Sequence, residues 1–283
     1  MELRHPFDPT YCMAPTDGKS VDGKLVVVLT CGELGVEVAN RVHGLDEVRS
    51  VVLVSTPYRT RTRSGIEKLR WVYRHGGMMG LVGGLIRRVK RGFSTGSSSA
   101  NLAHELLPEI EHRRFEDFHA PECIRFLQHL KPDLGVLAGV YILSEEVFGI
   151  PRLGSINLHS GKVPEYRGSA PAFWELYNGE TEVGVTVHEV TANLDAGAVI
   201  HQKVFPLDPA PDGDPLEYIH RYRREVLRPN GVDLLVESVR EIASGTANPR
   251  PQEHRNACVF RTPEHKHRKE LRRRVKQRRG AGS

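Results

Sequence analysis

Apolar positions along this chain fall into two spacings. Leu25-Val-Val-Val-Leu29 is an unbroken apolar run of strand length, which marks a strand covered on both faces. It predicts a strand over residues 24–30, and Cys31-Gly-Glu-Leu-Gly35 then opens a helix to about His43. A second strand is expected at 51–55. Ile124, Leu127 and Leu130 recur at helical spacing in a helix starting near Pro121, and 133–138 is the next buried strand. Residues 155–159, Ser-Ile-Asn-Leu-His, read as another. Period-2 geometry there puts Asn157 and His159 on one face and Ile156 and Leu158 on the other. A helix is expected over 170–177. A strand follows over 182–190, with Val183, Val185 and Val187 on one face and His188 on the opposite one, where a structural role is expected for it. Another strand covers 198–205. Residues 216–244 read as helix, with Ile219, Leu227, Leu234 and Val239 buried. Alternating strands and helices predict an α/β fold: a doubly wound, mostly parallel sheet with helices on both faces and a ligand crevice at the carboxyl ends of its strands.

This pattern stops at both ends and is interrupted once. Residues 1–23 lack periodicity and read as an irregular arm; 24–252 form the body; 253–283 are a basic tail. The interruption spans about 57–100. It joins basic, helix-like sequence to the glycine-rich apolar run 76–86, which is too short to span a bilayer. A surface helical insertion with solvated arginines is the expected reading, and an apolar face lying on an anionic membrane is the other. The tail is expected to be solvated, although its 269–276 stretch could pair with phosphates as a helix. The 283 residues suffice for one substantial domain with an appendage, and a hydrophobic share of 39% is ordinary for a soluble protein.

Net charge is +5, but it is strongly patterned. Residues 58–92 and 254–283 each carry a local +9, which leaves the remainder at −13. A basic total is therefore weak evidence that the site itself handles nucleic acid. Cys12, Cys31, Cys123 and Cys258 are scattered, so neither a disulfide framework nor a metal cage is expected. The opening Met-Glu-Leu-Arg-His-Pro has no apolar leader, and a reducing cytoplasm is the expected compartment.

Candidate chemistry gathers after the fourth strand. An amide and an imidazole released together at a strand end can act on a carbonyl: the amide donates to a developing oxyanion, and the imidazole donates or moves a proton. Asp195, before a glycine and a new apolar run, can orient or charge His159. The glycines at 32 and 35 do not make a dinucleotide fingerprint, because GxxG is not GxGxxG and no acid ends the following strand. A tight strand-to-helix turn and a phosphate role both stay open for them.

Four motifs occur in order: Asn157-x-His159, Pro164-x-x-Arg167-Gly168, Gly-Val-Thr-Val-His at 184–188 and Leu194-Asp195-Ala196-Gly197. Together they resemble the 10-formyltetrahydrofolate-dependent formyltransferases, over roughly residues 24–252. The resemblance implies a Rossmann-like formyltransferase domain and a catalytic trio of Asn157, His159 and Asp195. It implies transfer of a formyl group from 10-formyltetrahydrofolate to a primary amine with no metal. In this scheme Asn157 and His159 stabilise the oxyanion, and Asp195 orients His159 and helps move the amine's proton. Carried over by position, Val140, Tyr141 and Leu143 would hold the pterin with Asn193 and Ala196, and Lys162 and Arg167 would face the substrate.

The family's purine-pathway members have a Gly-Ser-Asn phosphate loop where this chain does not. Ser160-Gly-Lys-Val-Pro164 resembles the members that formylate sugar amines. The length leaves no room for the extra C-terminal domain of methionyl-tRNA formyltransferases or the N-terminal domain of formyltetrahydrofolate hydrolases. A nucleotide-linked amino sugar is therefore the expected acceptor. Glycinamide ribonucleotide and a hydroxyornithine-type amine are the enzymatic alternatives. A non-catalytic membrane- or RNA-binding protein using its basic segments is the alternative from another class. Expected partners are a small-molecule amine and weak anionic membrane or nucleic-acid contact through the basic segments, with a homodimer left open.

Overall fold

In the computed structural model, residues 23–58, 74, 105–253 and 255–281 are described. The irregular arm, apart from residue 23, lies outside them, as does most of the expected insertion at 57–100. Strand β1 (Lys24–Thr30) leads into helix α1 (Glu33–His43), followed by β2 (Val48–Ser55) and β3 (Glu111–Arg114). Helix α2 (Pro121–Leu130), β4 (Leu134–Ala138), the single turn α3 (Glu145–Phe148) and β5 (Ser155–His159) come next. The seven-stranded sheet has the order β3-β2-β1-β4-β5-β7-β8. From β3 to β5 all neighbours are parallel. The last two strands, β7 (Glu182–Glu189) and β8 (Val199–Pro206), are antiparallel additions. The sheet is mostly parallel with helices on both faces, as the alternating pattern predicts.

Period 2 explains how the continuous apolar runs are buried. Val26, Val28, Leu53, Val136, Ile156 and Val187 pack on one face beneath α1 and the long C-terminal helix of the body. Leu25, Val27, Leu29, Val52, Val54 and Leu137 pack on the other, against α2 and α3. Gly35 is required where α1 meets β1, because a Cβ there would collide with the Thr30 side chain. Thr30 Oγ1 in turn donates to the Ala138 carbonyl at 2.8 Å. That close approach assigns Gly35 to the tight turn.

Strand β2 begins at Val48 rather than 51, β3 was not expected, and three further differences follow. The expected helix at 170–177 is observed as α4 (Phe173–Asn178), because Ala170 and Ala172 hold left-handed φ values of 64° and 63°. The expected helix at 216–244 divides into α5 (Pro215–Tyr222), a π-helical turn (Arg223–Leu227) and α6 (Arg228–Ser244). Pro229 has no N–H to give and crowds the preceding turn, and the wider π turn absorbs that defect.

The third difference is larger. The tail expected to be solvated is docked. Its β9 (Val259–Phe260) pairs in parallel with β6 (Arg167–Gly168), and α7 (His265–Ala281) buries Leu271 and Val275. These two side chains join Leu176, Val183, Val185, Ile219 and Leu227 in a third apolar cluster. Many of the arginines serve the interface rather than solvent. Arg278 donates to the Leu176, Tyr177 and Pro209 carbonyls at 2.8, 2.9 and 3.0 Å. Arg272 pairs with Asp214 at 2.8 Å. Among the described residues no helix is long and apolar enough to cross a membrane.

Candidate active site

Strand β5 presents Asn157 and His159 toward β7, where the register places Asn157 opposite His188 and His159 opposite Thr186. Directly opposed residues share a sheet face, so these four side chains lie together. The loop after β7 brings Asp195 back over them. Its carboxylate lies 3.5 Å from His159 Nδ1 through Oδ2 and 3.5 Å from His188 Nε2 through Oδ1. His159, His188 and Asp195 are all at least nine-tenths buried.

Neighbouring acceptors orient each ring. His188 Nδ1–H donates to the Glu189 carbonyl at 2.7 Å, and its Nε2 lies 3.4 Å from the Asn157 amide nitrogen and 3.5 Å from Asp195 Oδ1. The Asn157 side chain is half-buried beside it. His159 Nε2–H donates to the Tyr166 carbonyl at 2.7 Å, while Nδ1 faces Asp195. An imidazole between two acceptors suits the cation, yet burial holds His159 below the ordinary histidine pKa and Asp195 only partly offsets this. For Asp195, burial pulls upward, but the His188 contact, the His159 charge and the Gly168 amide outweigh it and hold the carboxyl below its usual range. The site thus sets a carboxylate that favours its ionised form beside a His159 ring that burial disfavours as a cation. Gly161 allows this packing, since a Cβ there would strike His159 Nε2 and the Tyr166 carbonyl.

Asp195 is held from several directions in a left-handed conformation, φ 49°. The Gly168 amide donates to Oδ2 at 2.7 Å. Gln252 Nε2 donates to the carbonyls of Asp195 and Gly197 at 2.9 and 2.7 Å. Gln252 Oε1 accepts from Arg167 Nε and Nη2 at 3.1 and 2.6 Å. This corrects the expected substrate role of Arg167. Its guanidinium is buried and committed to Gln252, so it belongs to the scaffold of the Asp195 loop. Lys162 stays on the surface, 4.0 Å from Glu182.

The 139–144 segment follows β4. Leu143 is buried, Val140 and Tyr141 are half-buried, and Ile142 is 77% exposed. Tyr141 is a strut: its hydroxyl donates to Asp117 Oδ1 at 2.8 Å and accepts from the Phe118 amide at 2.8 Å. Val190, at the start of the Asp195 loop, packs on the same apolar cluster as Val140 and Tyr141. Asn193 is exposed and Ala196 half-buried in that loop, with Leu194 between them 41% exposed. Among the described residues no group of three or more His, Cys, Asp or Glu side chains is placed to hold a metal ion.

A family model described as formyl transferase matches residues 65–225, more than half of the chain. The chain belongs to the formyl transferase family. It is similar to the methionyl-tRNA formyltransferase of Roseiflexus castenholzii, with 36% identity over 143 residues, 50% of this chain and 44% of that protein. It therefore spans about half the length of the curated relatives it matches. Its fold is similar to glycinamide ribonucleotide transformylase 1 of Symbiobacterium toebii (TM-score 0.52, 18% identity, 83% of this chain and 96% of that one). A sugar N-formyltransferase from Shewanella sp. FDAARGOS_354 gives TM-score 0.54 and 14% identity over 84% of this chain and 76% of that one. At such identities the likeness speaks for the fold alone. The sequence relatives are named for methionyl-tRNA, so the expected amino-sugar acceptor gains no support from them.

Sequence reasoning gave His188 a structural role without its neighbours and missed Gln252. His188 is recognisable only once β7 is known to pair with β5, because register decides which face it shares. Gln252 is 57 positions from Asp195, and no local pattern links them.

Proposed function

We propose that this chain transfers a formyl group from 10-formyltetrahydrofolate to a primary amine. The observation that carries the reading is the placement of Asn157, His159 and Asp195 on one sheet face in a member of the formyl transferase family. As the amine attacks the formyl carbon, negative charge grows on the formyl oxygen. An N–H of Asn157 is one donor for it, and His159 becomes the second when its Nε2–H turns from the Tyr166 carbonyl to the oxyanion, each worth about 3 kcal/mol in such settings. Asp195, ionised and fixed by Gly168 and Gln252, orients His159 and balances positive charge that develops on the ring. The half-buried Val140 and Tyr141 and the exposed Ile142 and Leu194 offer apolar surface to a flat pterin, with Leu143, Asn193 and Ala196 in the same two segments.

For the acceptor, a small amine, with a nucleotide-linked amino sugar first, rests on the Ser160-Gly-Lys-Val-Pro164 stretch. The names of the sequence relatives favour a second reading, the amino group of methionyl-tRNA. An acceptor panel containing amino sugars, glycinamide ribonucleotide and methionyl-tRNA, read by tetrahydrofolate release, decides between them. Turnover is expected with one acceptor and a loss of about 10²-fold or more in His159→Ala and Asp195→Asn. Near-normal turnover in either variant would remove the trio from the mechanism.

A further inference from the structure

Strand β8 closes the sheet beside the site, and one of its side chains reaches the loop that leaves His159. The register sets His159 opposite Thr186 and Thr186 opposite Gln202, so the three form one row across β5, β7 and β8 on a single sheet face. Thr186 is fully buried and Gln202 is half-buried. The loop 160–166 is bonded to this row. Gln202 Nε2 donates to the Val163 carbonyl at 2.8 Å and to Thr186 Oγ1 at 3.0 Å, which uses both hydrogens of its amide. Thr186 Oγ1 in turn donates its own hydrogen to the Gly161 carbonyl at 2.8 Å.

The loop starts at His159 and ends on the same side chain, because the Tyr166 carbonyl accepts from His159 Nε2 at 2.7 Å. Its four consecutive carbonyls from Gly161 to Pro164 are all bonded. Thr186 donates to the first and Gln202 to the third. The Tyr166 amide donates to the carbonyl of Lys162 at 2.7 Å, and the Cys258 amide to that of Pro164 at 3.1 Å. The Tyr166 bond lies within the loop. Of the three anchors from outside it, one comes from the C-terminal segment and two depend on Gln202.

We propose that Gln202 is a positioning residue for His159 and acts on it through this loop. The role rests on the formyl-transfer reading and deepens it. The Gln202 amide fixes the Val163 carbonyl and turns the Thr186 hydroxyl toward Gly161. The loop then sets the Tyr166 carbonyl against the His159 ring. During transfer the ring turns its Nε2–H from that carbonyl to the oxyanion, so the place of the carbonyl sets where the turn begins and how far it runs. A displacement of about 1 Å in such an arrangement can lower a rate about 10²-fold. The side chain at 202 must be a donor twice over. The Val163 carbonyl can only accept, and the Thr186 hydroxyl has already given its hydrogen to Gly161. A neutral amide of this length meets both needs without bringing a charge to the row.

Gln202→Met keeps the length of the side chain and removes both donors. With the acceptor that the panel returns, its kcat should fall by about 10- to 10²-fold while KM for 10-formyltetrahydrofolate stays within about threefold. Thr186→Val should reproduce that loss, and Thr186→Ser, which keeps the hydroxyl, should restore turnover to within about threefold of wild type. A second readout needs no acceptor. In ligand-free protein labelled with 15N-histidine, the His159 Nε2–H should give a slowly exchanging, downfield signal, assigned by its loss in His159→Ala. That signal should broaden or vanish in Gln202→Met and Thr186→Val and persist in Thr186→Ser. Val239→Ala truncates a fully buried side chain of α6 in another cluster, and it should lower the unfolding midpoint while keeping the signal and kcat within about twofold. An unchanged His159 signal in Gln202→Met overturns the role, and so does a loss of turnover as large in Val239→Ala. A wild type that moves no formyl group to any acceptor removes the function reading, whereas an active wild type matched by Gln202→Met removes this role alone.

Discussion

Replacing Leu271 by alanine tests whether the basic C-terminal segment is part of the folded body. Leu271 is fully buried, and its cluster draws on α4, α5, β7 and the π turn. Leucine-to-alanine changes in cores cost about 2–5 kcal/mol, from lost transfer energy and the cavity left behind. Helix α7 lies at the edge of the molecule and can shift inward, so about 2–3 kcal/mol is the expected loss. At roughly 2–4 °C per kcal/mol for domains near this size, the midpoint should fall by about 4–12 °C. Urea unfolding followed by circular dichroism measures the free energy directly, provided the slope is unchanged. Lys276→Ala is the control: it sits on the exposed side of the same helix and should stay within about 0.5 kcal/mol. If Leu271→Ala loses no more than Lys276→Ala, the segment is a solvated tail and the docking argument fails.

Gln252→Ala should destabilise by about 3 kcal/mol, because the buried Arg167 guanidinium then lacks its acceptor. Turnover should fall as the Asp195 loop loosens, and removing Arg167 as well should restore part of the stability; an additive double variant would contradict the clamp. Stability should also depend on Glu175 through pH. Its folded pKa of about 8 lies above the unfolded value of about 4.3, so its contribution is fully present below the lower value and is lost as pH rises to about 8. Compared with Glu175→Gln by urea midpoint, the wild type should become relatively less stable from about pH 5 to pH 9, by several kcal/mol, whereas parallel curves would show that Glu175 is not shifted.

How much of this was legible from the chain follows from the range of each signal. The strands of the sheet centre were readable because runs such as Leu25-Val-Val-Val-Leu29 must be covered on both faces, whatever covers them. Asn157 and His159 were readable as a pair because period 2 is a local rule. Strand order is not local, and neither is the alignment that sets His188 against Asn157. Arg167 was set against the substrate by its position in the Pro164-x-x-Arg167-Gly168 motif, and a position does not say what a guanidinium is bonded to. Only Gln252, distant in sequence, shows that two of its donors are taken. The tail was misread because Leu271 and Val275 are two apolar residues in a run of arginines and lysines. At i and i+4 they form one face, and two side chains suffice when the arginines reach carbonyls of the body.

The tail also bears on the site. Strand β9 pairs with β6, and β6 contains both Arg167, which holds Gln252, and Gly168, whose amide holds Asp195. The Phe260 ring stacks between Tyr166 and Trp174, each 5.2 Å away, and Tyr166 supplies the carbonyl that fixes His159. The main chain that positions His159 and Asp195 is therefore braced from behind by residues beyond the body predicted from sequence. Trp174 Nε1 donates to the Arg261 carbonyl at 3.0 Å and closes the same brace from the α4 side, next to Glu175. A catalytic geometry built on a turn needs such a support, because a turn has few backbone hydrogen bonds of its own and small displacements are costly to reactivity. Position 252 is thus a poor place to divide a catalytic body from an appendage. The segment after it carries the net charge of an add-on and the contacts of a structural element, and the contacts decide how it behaves.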